Sequence, residues 1–219
     1  MKVKERMTKN VITVSMDTSI NEAFRLMKEN DIRRLPVLDK GRPVSIITLT
    51  DLNQASPSSA TSLSIHELNY LLAKTKLKDI LPKNLKLITV SPDAYIETAA
   101  KMMRTHTISG LPVVEDGQLV GIITETDLFE SLIEILGVYK PHTRIDLYAP
   151  DKPGVLADIT GLIAKKDMNI LNTVVYYDKK MDGHKVIIRI EDLEYEDLVE
   201  ELKERGYYIE SVIARDYED

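Results

Sequence analysis

The sequence predicts a mixed α/β chain of class α+β, in which two βαββα-type repeats pack as one module and a smaller βαββαβ domain follows. Three observations predict it. The first is an internal repeat, which decides the architecture before any single element does. Shifting the chain by 76 residues lays Ile12–Leu52 on Ile88–Leu128 without a gap, with about half of the pairs identical. Thr13-Val14-Ser15 falls on Thr89-Val90-Ser91, Leu35-Pro36-Val37 on Leu111-Pro112-Val113, and Thr50-Asp51-Leu52 on Thr126-Asp127-Leu128. The second is a change of pattern after His142, where the repeat ends and strand and helix periods alternate. The third is composition: 43% hydrophobic and 29% charged residues in 219 suit globular packing and not disorder.

Each repeat follows one local grammar. The β-branched runs Val11–Val14 and Leu87–Val90 predict short buried strands. Apolar residues then recur at helical spacing, Ile20, Ala23, Phe24 and Met27 in the first copy and Ile96, Ala99, Ala100 and Met103 in the second. Ser19 followed three residues later by Glu22 marks the start of the first of these helices as a capping box. Strands at Leu35–Leu38 and Val44–Thr48 come next, joined by a turn at Gly41, with Gly117 as its counterpart. A closing helix runs in the second copy from about Thr126 to Leu136, before Gly137, a helix-ending residue. A unit of roughly 50 residues buries little core alone, so the copies are expected to pack together.

Ala55–Ser62, rich in Ser, Thr and Pro, reads as loop, and Ser64–Lys74 as a helix with Ile65, Leu68, Leu71 and Leu72 on one face. From His142 the expected order is strand Arg144–Ala149, helix (Val155, Leu156, Ile159, Leu162 and Ile163 inward), strand Ile170–Tyr177 and strand Lys185–Ile190. A helix (Tyr195, Leu198, Val199 and Leu202 inward) and strand Tyr208–Ala214 complete it. That βαββαβ order is ferredoxin-like. Acidic Glu191–Glu204 reads as the solvated face of its second helix. The expected boundaries are residues 1–55 for the first repeat, 56–73 for a connector with a short helix, 74–138 for the second repeat and 143–219 for the last domain.

Composition narrows the function classes. A net charge of −6 disfavours a nucleic-acid partner. With no cysteine, disulfides, thiolate zinc sites and a cysteine nucleophile are excluded. Met1–Thr8 alternates apolar and charged residues without a signal-peptide core, and no window approaches the ~20 apolar residues of a membrane helix. A cytoplasmic protein without membrane contact is expected. His66, His106, His142 and His184 are scattered without metal-ligand spacing, and no nucleophile elbow or Walker loop is present. The chain is therefore expected to have no catalytic residue, no metal and no required cofactor.

The residues with chemical promise are Thr48-x-x-Asp51 and Thr124-x-x-Asp127, each at a strand-to-helix junction. The spacing places hydroxyl and carboxylate on the same side of the first helical turn. Two readings fit. Each pair is a capping box, or each carboxylate offers its two oxygens to the hydroxyls of a ribose, with the helix N–H groups and dipole facing a phosphate. The two are compatible, and the recurrence of the pair behind a Leu-Pro-Val strand favours the ribose.

The repeats resemble CBS domains, on the doubled Leu-Pro-Val strand and Ile-Ile-Thr-x-x-Asp-Leu ending. The last region, with Asp151-Lys152-Pro153-Gly154-Val155-Leu156 opening its helix, looks like an ACT domain. The connector Ala55-Ser56-Pro57 with Glu67-Leu68-Asn69-Tyr70-Leu71-Leu72 is similar to that of CBS–ACT proteins named for acetoin utilisation. The CBS resemblance implies an adenine nucleotide in the cleft between repeats as a regulatory ligand. Arg33 and Arg34 then line the cleft and contact phosphate, which suits a guanidinium fork, against the alternative of two solvated arginines. Adenine would lie near Thr13, Thr89, Ile32 and Ile108. Ser109 and Gly110 stand where the first copy has the two arginines, so the clefts are expected to bind unequally. Ser45 stands where the second copy has Gly121 and is expected to narrow the first cleft. In the ACT region Asp151, Gly154, Asn169 and Asn172 fall where related domains bind a small amino acid across a dimer interface. Their plain alternative is a turn, a helix cap and two loop or edge asparagines.

Two functions follow. One is a sensor of an adenosine nucleotide that acts on an unidentified regulated protein, with the ACT domain supplying assembly or a second input. The other is an amino-acid-responsive ACT regulator whose CBS pair is a dimerisation platform. Both expect a homodimer, since ACT sheets expose an edge and Leu128, Leu132 and Leu136 make an apolar helix face.

Overall fold

The computed structural model describes residues 1–57, 64–82 and 86–216. The chain divides into two compact units, Met1–Leu128 and Phe129–Asp219.

In the first unit β1 (Val14–Ser15), α1 (Ile20–Glu29), β2 (Arg34–Asp39), β3 (Arg42–Thr48) and α2 (Leu49–Ala55) form the first repeat. After α3 (Ile65–Lys74) and α4 (Leu77–Ile80), the second repeat supplies α5 (Ile96–His106), β4 (Gly110–Glu115), β5 (Gln118–Thr124) and α6 (Glu125–Ile135). Both hairpins turn on residue pairs with positive φ, Lys40 (46°) with Gly41 (80°) and Asp116 (49°) with Gly117 (78°). That is the type I′ geometry whose twist matches flanking strands, and glycine adopts its second position at no steric penalty. Each hairpin carries a register shift at the same place, Val37/Leu38 and Val113/Val114. The strand expected over Val11–Val14 is paired only at Val14 and Ser15, parallel to β2, and in the second copy only Val90 bridges, to Val113. The rest of each run is not paired as strand, although Ile12 and Ile88 still pack on the two cores.

Each repeat has its own core. One gathers Ile20, Ala23, Met27, Leu35, Val37, Ile47 and Leu52; the other gathers Ala99, Met103, Leu111, Val113 and Ile123 around Val90 and Ile96. Ala100 is exposed, which corrects its inward assignment: at one residue past Ala99 it has turned away from the core side. Each core is completed by the segment that precedes the other repeat. Leu77 is fully buried in the first core and Val3 in the second. The Leu77 N–H donates to the Thr18 carbonyl (2.9 Å) and the Lys78 N–H to Met16 (2.9 Å); the Val3 N–H donates to Ala94 (2.8 Å) and the Lys4 N–H to Pro92 (2.9 Å). Outside these contacts Lys78 pairs with Asp17 (2.7 Å), and Lys4 and Lys2 with Asp93 (2.9 Å each). The two lysines push the Asp93 carboxyl down to about 2.

The loop expected over Ala55–Ser62 begins later, since Ala55 closes α2 and Ser56 caps it; Ser58–Ser62 lie outside the described residues. Helix α3 forms as expected, with Ser64 and Glu67 in a capping box, but buries no residue, and Ile65 and Leu71 are exposed. Its apolar face is only partly used: Leu72 packs on the first core.

In the second unit β6 (His142–Ala149), α7 (Val155–Lys165), β7 (Ile170–Asp178), β8 (Gly183–Ile190), α8 (Glu196–Glu204) and β9 (Tyr208–Arg215) follow the expected βαββαβ order. The sheet order is β7-β8-β6-β9 with all neighbours antiparallel. Ile145, Leu147, Val186, Ile188 and Ile190 point to the helices and meet Ile159, Leu162, Ile163, Leu198 and Leu202. Leu156, expected inward, is exposed: one residue past Val155, which packs on the core, it has turned to the side of the helix.

Candidate functional site: the clefts between the repeats

The two Thr/Asp pairs start α2 and α6 in the same way. Asp51 Oδ2 accepts from the Thr48 N–H (2.8 Å) and hydroxyl (2.6 Å), and the Asp51 N–H donates to Thr48 Oγ1 (3.2 Å). In the second copy Asp127 Oδ2 accepts from the Thr124 N–H (2.7 Å) and hydroxyl (2.7 Å), and the Asp127 N–H donates back (3.4 Å). The capping boxes are therefore real. They draw on one carboxylate oxygen, and among the described residues Oδ1 of Asp51 takes no hydrogen bond. The first helical N–H groups are also engaged, Leu49 with the Arg33 carbonyl (2.9 Å) and Glu125 with that of Ser109 (3.2 Å). Two of the first three N–H groups of each helix are thus taken, so the helix ends offer a phosphate less than their sequence suggested.

By sequence the second copy has no phosphate partner of its own, since Ser109 and Gly110 stand where the first copy has Arg33 and Arg34. In the structure the larger cleft draws its lining from both repeats, so the first copy's arginines share it with the second copy's Thr/Asp pair. A cavity of about 750 Å³ is lined by Thr124, Glu125 and Asp127 of the second repeat with Ile12, Ile32, Arg33 and Arg34 of the first, and by Ser109. The arginines of one copy face the Thr/Asp pair of the other, because β3 and β5 lie side by side at the centre of the unit. A smaller cavity of about 510 Å³ holds Asp51 among Ile46, Ile47, Gln54, Ala55 and Ile80–Pro82. Thr48 reaches it only through its bond to Asp51. Thr13, Thr89, Ile108 and Gly110 line neither cavity among the described residues. Ile108 packs instead on the second core.

The two arginines differ. Arg34 crosses to the second repeat, its guanidinium donating to the Ser109 carbonyl and to Ser109 Oγ (2.8 Å). Burial lowers its pKa from the usual guanidinium value, with Glu125 and Asp127 pulling the other way. Arg33 is exposed, lines the cleft, and donates no side-chain hydrogen bond among the described residues. Gly110 is where Arg34 lies: a Cβ there would overlap Arg34 Nη1 and sit 2.9 Å from its Cδ. Gly110→Ala should therefore displace the Arg34 side chain from Ser109 and lower stability by about 1 kcal/mol, the usual worth of a lost hydrogen bond. Arg34→Ala in the same chain should add little to that loss in chemical denaturation, as contact between the two positions requires.

Gly121 also has a different role from the one expected. A Cβ there would meet Met7 Sδ at 2.5 Å and the Thr8 carbonyl at 3.0 Å, so the close approach is by the N-terminal segment and not by a ligand. Thr8 and Ile122 exchange backbone hydrogen bonds of 2.9 and 3.0 Å at this point. Ser45 is buried and does not line the cavity at Asp51.

The ACT-region residues do not converge within one chain. Asp151 follows Ala149, which pairs with His184 at one end of the sheet, while Asn172 pairs with Arg189 towards the other. Asp151 is exposed and 3.5 Å from His184 Nδ1. Gly154 begins α7 with φ 90° and nothing within 4 Å of a would-be Cβ, so its value is conformational. Asn169 donates to Glu191 (2.8 Å) and Asn172 to the Ile135 carbonyl (2.9 Å).

Sequence reasoning missed Asp31 and Glu125, which add carboxylates to the larger cleft. Nothing local signals them, because the cleft is formed across repeats. It also missed the docking segments, for which a signal existed: Lys2-Val3-Lys4-Glu5 and Lys76-Leu77-Lys78-Asp79 share a pattern at a spacing of 74. Among the described residues no cluster of histidine and carboxylate side chains could hold a metal ion, and no helix is long and apolar enough to cross a membrane.

The CBS domain family model matches residues 3–58 and 77–134, and the ACT domain model matches residues 143–206. A CBS domain-containing protein of Dictyostelium discoideum is 33% identical over 143 residues, covering 64% of this chain and 97% of that protein. An uncharacterized protein of Methanocaldococcus jannaschii is 34% identical over 136 residues, 61% of this chain but 32% of that longer protein. Among solved structures, a protein of Vibrio cholerae named for acetoin utilization (AcuB) aligns with a TM-score of 0.51 at 30% identity, over 63% of this chain and 94% of that one. The chain therefore belongs to the CBS domain family, as a tandem CBS pair followed by an ACT domain.

Proposed function

We propose that the chain is a non-catalytic regulatory sensor, binding an adenosine nucleotide of the AMP, ADP or ATP type in the cleft between its CBS repeats. The observation that carries this reading is the cross-repeat cavity of about 750 Å³, where a carboxylate fit for ribose hydroxyls shares a wall with a free guanidinium and with Ile12 and Ile32. That volume suits a nucleotide-sized ligand, and the apolar wall suits a base. The ACT domain supplies assembly or a second input. Within one chain Asp151 and Gly154 lie apart from Asn169 and Asn172, so the amino-acid reading needs a second copy to complete its site. Of the expected apolar face only Leu132 is exposed, since Leu128 packs on the second core and Leu136 is half-buried; Phe129 and Ile135 join Leu132 in an exposed apolar surface on α6 that supports a cytoplasmic homodimer of twofold symmetry. The likeness to the Vibrio cholerae protein supports a role linked to acetoin utilisation or central metabolism, acting through a regulated partner protein.

A thermal-shift screen of adenine nucleotides against amino acids tests this. A ligand at about 100 times its Kd adds about 2.7 kcal/mol to stability, so AMP, ADP or ATP should raise the melting temperature plainly. Stabilisation by an amino acid with none by any adenine nucleotide would replace this reading with the ACT-responsive one. The mass of the free protein by light scattering should be that of a dimer.

A further inference from the structure

Two guanidiniums and three carboxylates line the larger cleft, from Arg33, Arg34, Asp31, Glu125 and Asp127. They are not equally available. Arg34 is committed to the carbonyl and hydroxyl of Ser109 and occupies the space left by the missing side chain of Gly110. Turning it to a ligand would strip the Ser109 carbonyl of this donor and open a void over Gly110. Arg33 is exposed, and its guanidinium donors are uncommitted among the described residues. The α6 N-terminus adds little, since the Glu125 and Asp127 N–H groups already have acceptors.

We propose that this cleft selects a nucleoside monophosphate over di- and triphosphates, with Arg33 as the one cation for the 5′-phosphate and Arg34 as a clamp between the repeats. The proposal rests on the nucleotide reading above. A single phosphate, with a charge of about −1.5 to −2 at pH 7, is matched by one planar fork that can bond two of its oxygens. Each further phosphate adds negative charge without a further cation. With Asp127 engaged by the ribose, that charge shares the cleft with Asp31 and Glu125, and like-charge juxtaposition is what rejects a wrong ligand. Selectivity thus comes from the carboxylates as much as from the arginine.

The test is calorimetric titration of the full chain carrying Asp51→Asn, so that the larger cleft dominates, with adenosine, AMP and ATP and no divalent cation. AMP should bind about tenfold tighter than both adenosine and ATP, the size expected of one charge-assisted contact. Arg33→Gln should bring AMP to the affinity of adenosine and leave adenosine unchanged. Arg34→Gln should weaken adenosine and AMP by the same factor, preserving their ratio. Should Arg34→Gln fail to fold, Arg33→Gln alone decides, because its side chain is exposed. ATP binding as tightly as AMP, or an AMP advantage that survives Arg33→Gln, overturns the proposal while leaving adenosine binding intact. If adenosine, AMP and ATP all fail to bind, the nucleotide reading itself falls, and this proposal with it.

Discussion

Replacing Leu77 with alanine should destabilise the first unit by about 2–5 kcal/mol, the range for truncating a fully buried leucine. Leu77 lies outside both strand–helix units and close to the start of the second one, where a linear reading would place it with the second core. It is fully buried in the first core instead, with Ile20, Leu35, Ile47 and Leu52. The segment is fixed there by backbone bonds from Leu77 to Thr18 and from Lys78 to Met16, so the side chain cannot withdraw without breaking them. Lys78→Ala, which loses only an exposed, solvent-screened ion pair with Asp17, should leave the urea midpoint almost unchanged. Urea denaturation of the two variants checks this; equal, small losses would show that the docking segment is loosely held.

Asp127→Ala should have two effects of separate origin. Loss of the capping box at α6 should lower stability by about 1 kcal/mol. Loss of the charged acceptor should weaken nucleotide binding in the larger cleft by about 10- to 100-fold, since such a bond contributes about 1.5–3 kcal/mol and 1.4 kcal/mol is tenfold. The geometry separates the two, because the cap uses Oδ2 for both of its bonds from Thr124. Asp127→Asn keeps an oxygen for the cap while removing the charge, so it should retain more stability than affinity. A variant that loses stability and keeps its affinity would assign the carboxylate to helix capping alone.

Much of the fold was legible because its signals are local. Hairpin turns at Lys40-Gly41 and Asp116-Gly117 need positive φ, and the glycines announce them. The helical spacing of Ile20, Ala23 and Met27 identifies a buried face whatever it packs against. The order of elements after His142 determined the ferredoxin-like sheet without knowledge of its register. What stayed hidden is tertiary. The bond from Arg34 to Ser109 spans 75 residues, and nothing near Arg34 says that its charge is already satisfied. Gly121 reads in sequence as leaving room for a ligand, and only coordinates show that Met7 and Thr8 take that room. The Thr/Asp pairs were visible twice over and a cleft between the repeats was expected; that Arg33 and Arg34 of the first copy share a cavity with Thr124 and Asp127 of the second was not, because no local pattern links positions so far apart in the chain.

Central to the account is that the cleft formed across the two repeats holds an adenine nucleotide through Asp127. Calorimetric titration of AMP into the wild-type chain and into folded Asp127→Ala tests this most directly. The account predicts saturable binding to the wild type and an affinity about 10- to 100-fold lower in the larger cleft of the variant. Equal affinity of the two proteins for AMP, with the variant's fold confirmed by its melting curve, would contradict it.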